Sequence, residues 1–159
     1  TNGTPIRQLV EGRVIEGKHV YNIGLHGFYN APSLIEAAND YEVHRIRLKE
    51  LRQKGIEQTV QDILSVLMEQ VDFIYVTVDM DVLDISYAPG VPASTPGGMR
   101  SDELFEILYE VGKCDGIGAI DFVCIDPTKD NSVEATVKTT TYAFLTFLAS
   151  FYQHRVKRY

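Results

Sequence analysis

The segment Phe73-Ile-Tyr-Val-Thr-Val78 is apolar and β-branched, and it runs straight into two carboxylates, Asp79 and Asp81. Such a run reads as a buried strand. Side chains alternate along an extended strand, so Asp residues at i and i+2 point the same way. Paired hard oxygen donors at a strand's C-terminal end suit a divalent cation, and that edge is where open α/β sheets place their ligands. Two Asp at a strand end can equally solvate a turn and cap the next element. A third carboxylate, Asp84, and the loop behind it tilt the reading toward a site. Ala88-Pro-Gly-Val-Pro-Ala-Ser-Thr-Pro-Gly-Gly98 is too punctuated for helix or strand and forms a long shaped loop beside the carboxylates. Asp84 suits a structural role, holding that loop through backbone N–H groups.

Around this segment the hydrophobic period switches repeatedly. Val20-Tyr-Asn-Ile-Gly-Leu25 reads as a short strand ending in a polar, glycine-containing turn. Ser33-Leu-Ile-Glu36 has the pattern of a capping box and predicts a helix from Ser33. Val43-His-Arg-Ile-Arg-Leu48 alternates as a strand. Residues 55–70 place Ile56, Val60, Ile63, Leu64 and Leu67 on one helical face. A helix starts near Ser101, with Asp102 and Glu103 at its positive end and Leu104, Ile107, Leu108 and Val111 toward the core. Ile117-Gly-Ala-Ile-Asp-Phe-Val-Cys-Ile125 is a fourth strand, halted by Asp126-Pro127. Residues 131–151 form a last helix with Phe144, Phe147, Leu148 and Phe151 on one face. Strands alternating with helices give the α/β class with one mainly parallel sheet and helices on both faces, a three-layer α/β/α arrangement. No repeat or linker divides residues 1–159, which read as a single domain.

Composition narrows the function. The net charge of −7 argues against a nucleic-acid surface, and no apolar run reaches membrane-spanning length. Two cysteines, Cys114 and Cys124, are too few for a disulfide scaffold. A cytoplasmic protein with reduced thiols is expected. The chain opens on Thr1-Asn-Gly-Thr-Pro5, without Met, in what reads as the middle of a loop; a piece of something longer is expected.

Val76-Thr-Val-Asp-Met-Asp-Val-Leu-Asp84, followed by Ala88-Pro-Gly90 and Pro96-Gly-Gly98, resembles a metal-binding signature of the ureohydrolases: arginases, agmatinases and formimidoylglutamases. Ile120-Asp-Phe-Val-Cys-Ile-Asp-Pro127 is similar to the family's D-x-V-E-x-x-P strand, and Tyr21-Asn-Ile-Gly-Leu25 also matches. The whole chain resembles the C-terminal half of such an enzyme, an incomplete half of an arginase-like domain. Thr1-Asn-Gly-Thr-Pro-Ile-Arg7 is similar to the T-N-G-T-P-F-R segment of bacterial formimidoylglutamases. The resemblance implies Mn²⁺-dependent hydrolysis of N-formimidoyl-L-glutamate to formamide and L-glutamate, in histidine degradation. It implies two Mn²⁺ per complete site, with Asp79 bridging both and Asp81 binding one, and Asn2, Thr4, Tyr29 and Cys124 lining or bordering the substrate cleft. Its partner is then a small amidine or guanidine, not nucleic acid or membrane, in a homo-oligomer or with the missing N-terminal half.

The chain departs from the family pattern in two places. The remaining four metal ligands belong to a G-G-D segment and a D-x-H-x-D segment, neither of which is present. The four histidines, His19, His26, His44 and His154, show no ligand spacing; His26 reads as a polar residue at a strand end. Cys124 stands where the family has a Glu that pairs with the cationic substrate group, and a neutral thiol cannot neutralise an amidinium. The isolated chain is therefore expected to be inactive. The alternatives are a catalytically inactive ureohydrolase-like module, an arginase- or agmatinase-type guanidine hydrolase, and a phosphatase of the haloacid dehalogenase type. In the last, Asp79 would be the nucleophile and Asp81 the acid/base. That motif normally opens its domain, and the Pro/Gly loop has no place in it.

Overall fold

The computed structural model describes residues 5–28 and 30–156. In chain order it contains α1 (Pro5–Glu11), β1 (Tyr21–Leu25), α2 (Pro32–Asp40), β2 (His44–Arg47), α3 (Leu48–Lys54), α4 (Ile56–Met68), β3 (Ile74–Asp79), α5 (Ser101–Gly112), β4 (Ile117–Val123) and α6 (Ala135–Val156). The α/β class follows the alternation in the sequence. Among the described residues the strands form two parallel pairs, β1–β2 and β3–β4, and not the single continuous sheet expected. Among the described residues each strand has one hydrogen-bonded neighbour.

The β3–β4 register aligns Val76 with Ile120, Thr77 with Asp121, Val78 with Phe122 and Asp79 with Val123. Ile74 and Val78 turn to the buried side, while Tyr75, Thr77 and Asp79 lie on the exposed one. On that exposed face the Tyr75 hydroxyl donates to Asp121, whose other carboxylate oxygen is buried without a partner. In β1 the register shifts between Ile23 and Leu25, with Gly24 at a φ of 94°. A Cβ on Gly24 would stand 2.5 Å from Val82 Cγ2, so only glycine lets β1 approach the segment after β3.

α4 forms where the periodicity predicted it and buries Ile56, Val60, Ile63 and Leu67. α3, absent from the sequence reading, follows β2 directly. Leu48 and Leu51 anchor it in the core, and Glu50 Oε2 accepts the Arg47 amide at 3.0 Å. Its short length hides it beside an alternating strand. The capping box expected at Ser33 does not form: α2 starts at Pro32 after Ala31, with no side-chain cap. Proline suits the first helical turn, so Ser33 falls inside the helix and its hydroxyl loses the capping position.

The buried face of α6 also differs from expectation. Thr136, Ala143, Phe147 and Ser150 are buried, while Phe144 and Leu148 stay exposed at 41% and 38%. The reason is close approach. A Cβ on Gly112 of α5 would lie 2.7 Å from Ser150 Cβ, and Ser150 Oγ donates to the Tyr109 carbonyl at 2.6 Å. The seam therefore selects small residues, and the larger ones move to its flanks.

The loop after β3 is part of the core. Met80, Leu83, Ala88, Val91 and Met99 are all buried with Val78, Leu104 and Leu108. No helix among the described residues is long and apolar enough to cross a membrane.

Candidate metal centre at the end of the third strand

β3 ends on Asp79, and its Oδ1 accepts the Asp81 amide at 3.2 Å. This caps a single 3₁₀ turn, Met80–Val82. The expectation that both carboxylates project from one extended strand is thus corrected: the strand stops at Asp79, and Asp81 sits within the turn. An Asp side chain that bonds the backbone two residues on favours such a turn over continued extension. The two carboxylates nevertheless come together. Burial, with the charge and hydrogen bonding of Asp79, pushes the Asp81 carboxyl up to about 6, and His26 opposes the shift.

Cys124 is the first residue beyond β4, one step past the register partner of Asp79. It adopts a φ of 63°, in the left-handed region that side chains other than glycine and asparagine seldom occupy. This turn brings its thiol to Asp79. Local burial, a hydrogen bond to Asp79 and the charges of Asp79 and Asp81 push the thiol up to about 12, although the residue as a whole is exposed. With its pKa raised, Cys124 stays a neutral thiol beside Asp79.

Asp84 organises the loop. Its Oδ1 accepts the Ser86 amide at 2.9 Å and the Ser86 hydroxyl at 2.6 Å, and its Oδ2 accepts the Gly97 amide at 2.7 Å. These bonds hold its carboxyl down at about 2. The Asp84 amide donates to the Met99 carbonyl at 2.9 Å, and a Cβ on Gly98 would lie 2.4 Å from the Asp84 nitrogen. The last residues of the Pro/Gly loop therefore close directly on Asp84.

His26 is the participant that the sequence reading set aside. Half-buried beyond β1, it has Nδ1 3.1 Å from the Gly24 carbonyl and Nε2 3.3 Å from Thr95 Oγ1. Its charge acts on Asp81. The His26–Thr95 contact spans 69 residues, and local sequence carries no trace of it. Asn2, Thr4 and Tyr29 lie outside the described residues. Two surface hollows, of about 330 and 450 Å³, lie elsewhere, along β1, β2 and α4 and beside Arg52 and Glu103.

The donor set fits one side of a cation site. Asp79 and Asp81 supply hard oxygens, and the crowding of negative charge at Asp81 is what a cation would relieve. Among the described residues no group of three or more His, Cys, Asp or Glu could hold a metal ion by itself.

Parallel strand pairs, helices layered on them and carboxylates at a strand's C-terminal end define an arginase-like α/β fold. The arginase family model matches residues 1–149, and the chain belongs to that family. It is 40% identical over 130 residues to formimidoylglutamase of Bacillus subtilis, covering 82% of this chain and 41% of the relative. It is 36% identical over 147 residues to formimidoylglutamase of Halalkalibacterium halodurans, covering 92% and 46%. The crystal structure of the Bacillus subtilis formimidoylglutamase superposes with a TM-score of 0.90 at 37% identity, covering 94% of this chain and 47% of that one. A Trypanosoma cruzi formiminoglutamase solved with Mn²⁺ shares the fold, with a TM-score of 0.84 at 24% identity, covering 93% and 48%. The chain spans about half the length of the curated relatives it matches.

Proposed function

We propose that the protein to which residues 1–159 contribute one domain unit hydrolyses the C–N bond of a linear amidine, N-formimidoyl-L-glutamate, to formamide and L-glutamate. The observation that carries this reading is the 40% identity to a formimidoylglutamase, joined to the convergence of Asp79 and Asp81 at the end of β3. Asp79 and Asp81 hold Mn²⁺ together with ligands from outside these residues. Bound divalent metal lowers the pKa of water, which makes hydrolysis possible at neutral pH. Asp79 and Asp81 concentrate negative charge at the strand end, the Asp81 amide holds the Asp79 carboxylate, and the Cys124 thiol lies beside it. Asn2, Thr4, Tyr29 and Cys124 border the substrate cleft. A small amidine or guanidine is the partner, in a cytoplasmic protein that is a homo-oligomer or is completed by the missing N-terminal half.

The test is formamide and glutamate release with added Mn²⁺. The 159 residues alone should give none; together with the complementary half of the family domain they should turn over, and Asp79→Asn or Asp81→Asn should abolish it. Turnover that survives both substitutions would sink the metal mechanism. Cys124→Glu in the complete protein should raise affinity for a cationic amidine. If neither binding nor rate changes, Cys124 is a packing position.

Cys124 also supports a second reading, an inactive module retained for assembly. A neutral thiol beside Asp79 leaves an amidinium without a counter-charge. Absence of formamide and urea release from the complete protein, with intact assembly, would favour that reading.

A further inference from the structure

One carboxylate on the β3–β4 ladder is only half used. Asp121 pairs in register with Thr77, two positions before the rung of Asp79 and Val123. Paired residues of neighbouring strands point to one side of a sheet, as do residues two apart along a strand. Asp121, Tyr75, Thr77 and Asp79 therefore share the exposed face of the ladder. The Tyr75 hydroxyl donates to Asp121 Oδ2, while Oδ1 is buried and bonds to nothing among the described residues. The hydrogen bond to Asp121 holds the Tyr75 phenol above its ordinary pKa, so Tyr75 stays a neutral donor and brings no positive charge. A buried carboxylate oxygen without a donor is costly, and folded proteins rarely leave one.

The position narrows the donor. On strand spacings alone, the Cα of Asp121 stands about 8 Å from that of Asp79. The centre that Asp79 and Asp81 suit is short of ligands, because no group of three or more His, Cys, Asp or Glu among the described residues could hold an ion. Of the side chains that commonly ligate metals, carboxylate and thiolate have no hydrogen left to donate; imidazole does. A ring bound through one nitrogen donates through the other, and carboxylates are its usual acceptors. Such a ring reaches roughly 7 Å from ion to carboxylate oxygen, comparable with that separation. A guanidinium fits less well, since its parallel N–H groups engage both oxygens and Tyr75 already holds one. The chain's own histidines are placed elsewhere. His26, His44 and His154 each contact a backbone carbonyl of another segment or their own helix, and His19 precedes β1.

We infer that Asp121 Oδ1 accepts the outward ring N–H of a metal-ligating histidine contributed by protein outside residues 1–159, and that Tyr75, by holding Oδ2, fixes the carboxylate to receive it. Asp121 is then a positioning residue, which sets the tautomer and tilt of that ring. Tyr75 is 55% exposed, so its own ring can yield to the arriving side chain. The inference rests on reading the end of β3 as part of a metal centre.

The complete protein tests it without turnover. Mn²⁺ is titrated into the parent, Asp121→Asn and Tyr75→Phe, and free Mn²⁺ is read by electron paramagnetic resonance. Asp121→Asn should weaken binding by about 10- to 100-fold, and Tyr75→Phe by less. In the metal-free parent labelled with ¹⁵N-histidine, a protected ring N–H should show a nuclear Overhauser effect to the Tyr75 ring. If Asp121→Asn fails to fold, Tyr75→Phe and that signal decide. A parent that binds Mn²⁺ with the affinity unchanged in Asp121→Asn overturns this inference alone. So does the absence of any ring N–H near Tyr75, which would leave Oδ1 to a buried water. A parent that binds no Mn²⁺ overturns it together with the metal reading.

Discussion

Asp84 ties two distant parts of one loop to a single carboxylate, receiving hydrogen bonds from Ser86 and Gly97. Its pKa lies near 2 in the folded chain, below the ordinary 3.8. A carboxylate with a depressed pKa contributes stability above its unfolded pKa and loses it as the pH falls through the folded one. Asp84→Asn should therefore lower the urea midpoint at pH 7. That deficit should shrink as the pH falls from about 4 toward about 2, where the parent carboxylate is itself protonated. An equal deficit at both pH values would show that the shape of the side chain matters and not its charge. Asp79 and Cys124 illustrate the same local logic: one caps its own turn and the other turns left-handed, so a thiol lands on a carboxylate that belongs to another strand.

Among the elements, α5 is held at both ends. At its start Arg52 of α3 grips the buried Glu103 through bonds of 2.7 and 2.8 Å and reaches the Gly98 carbonyl at 3.3 Å. Glu103 Oε2 also accepts the Arg100 amide at 2.8 Å. This joins α3, the Pro/Gly loop and α5, and it positions the loop behind Asp81. Arg52→Ala leaves Glu103 buried without that partner and should cost about 1–3 kcal/mol in chemical denaturation. Glu103→Gln keeps the shape of the side chain and should cost less; the reverse order would mean that the Glu103 charge is held mainly by Arg100 and not by Arg52. At the other end, Gly112→Ala drives a methyl against Ser150 and the Phe147 carbonyl, the latter 2.8 Å from the added Cβ. Overpacking of that kind should cost about 1–3 kcal/mol, read as a fall in melting temperature. No loss would mean that α5 and α6 slide apart without penalty.

For the whole molecule, the incomplete donor set predicts weak Mn²⁺ binding. Titration calorimetry on these 159 residues should find no tight, stoichiometric Mn²⁺, because two carboxylates and water rarely hold such an ion against a chelator. Tight binding would show that a few ligands suffice. The order of most elements was legible in the sequence, because apolar period is a local property: β3, β4, α4 and α5 follow their patterns closely. So were Asp79, Asp81 and Cys124 as residues to watch. The short helix α3, the shifted start of α2 and the small-residue seam of α6 were not, since each depends on neighbours far away in the chain. His26 was discounted for the same reason.

By itself, then, the sequence determined the α/β class, the family, and the two carboxylates at the end of a buried strand. Periodicity and motif are carried by residues a few positions apart, where backbone geometry alone relates them. Only the tertiary structure decided that Asp81 lies in a 3₁₀ turn, that His26 meets Thr95, that Cys124 turns its thiol to Asp79, and that among the described residues β1–β2 and β3–β4 form separate pairs. Those relations arise where separate elements meet, and they are set by packing and burial, which no local pattern encodes.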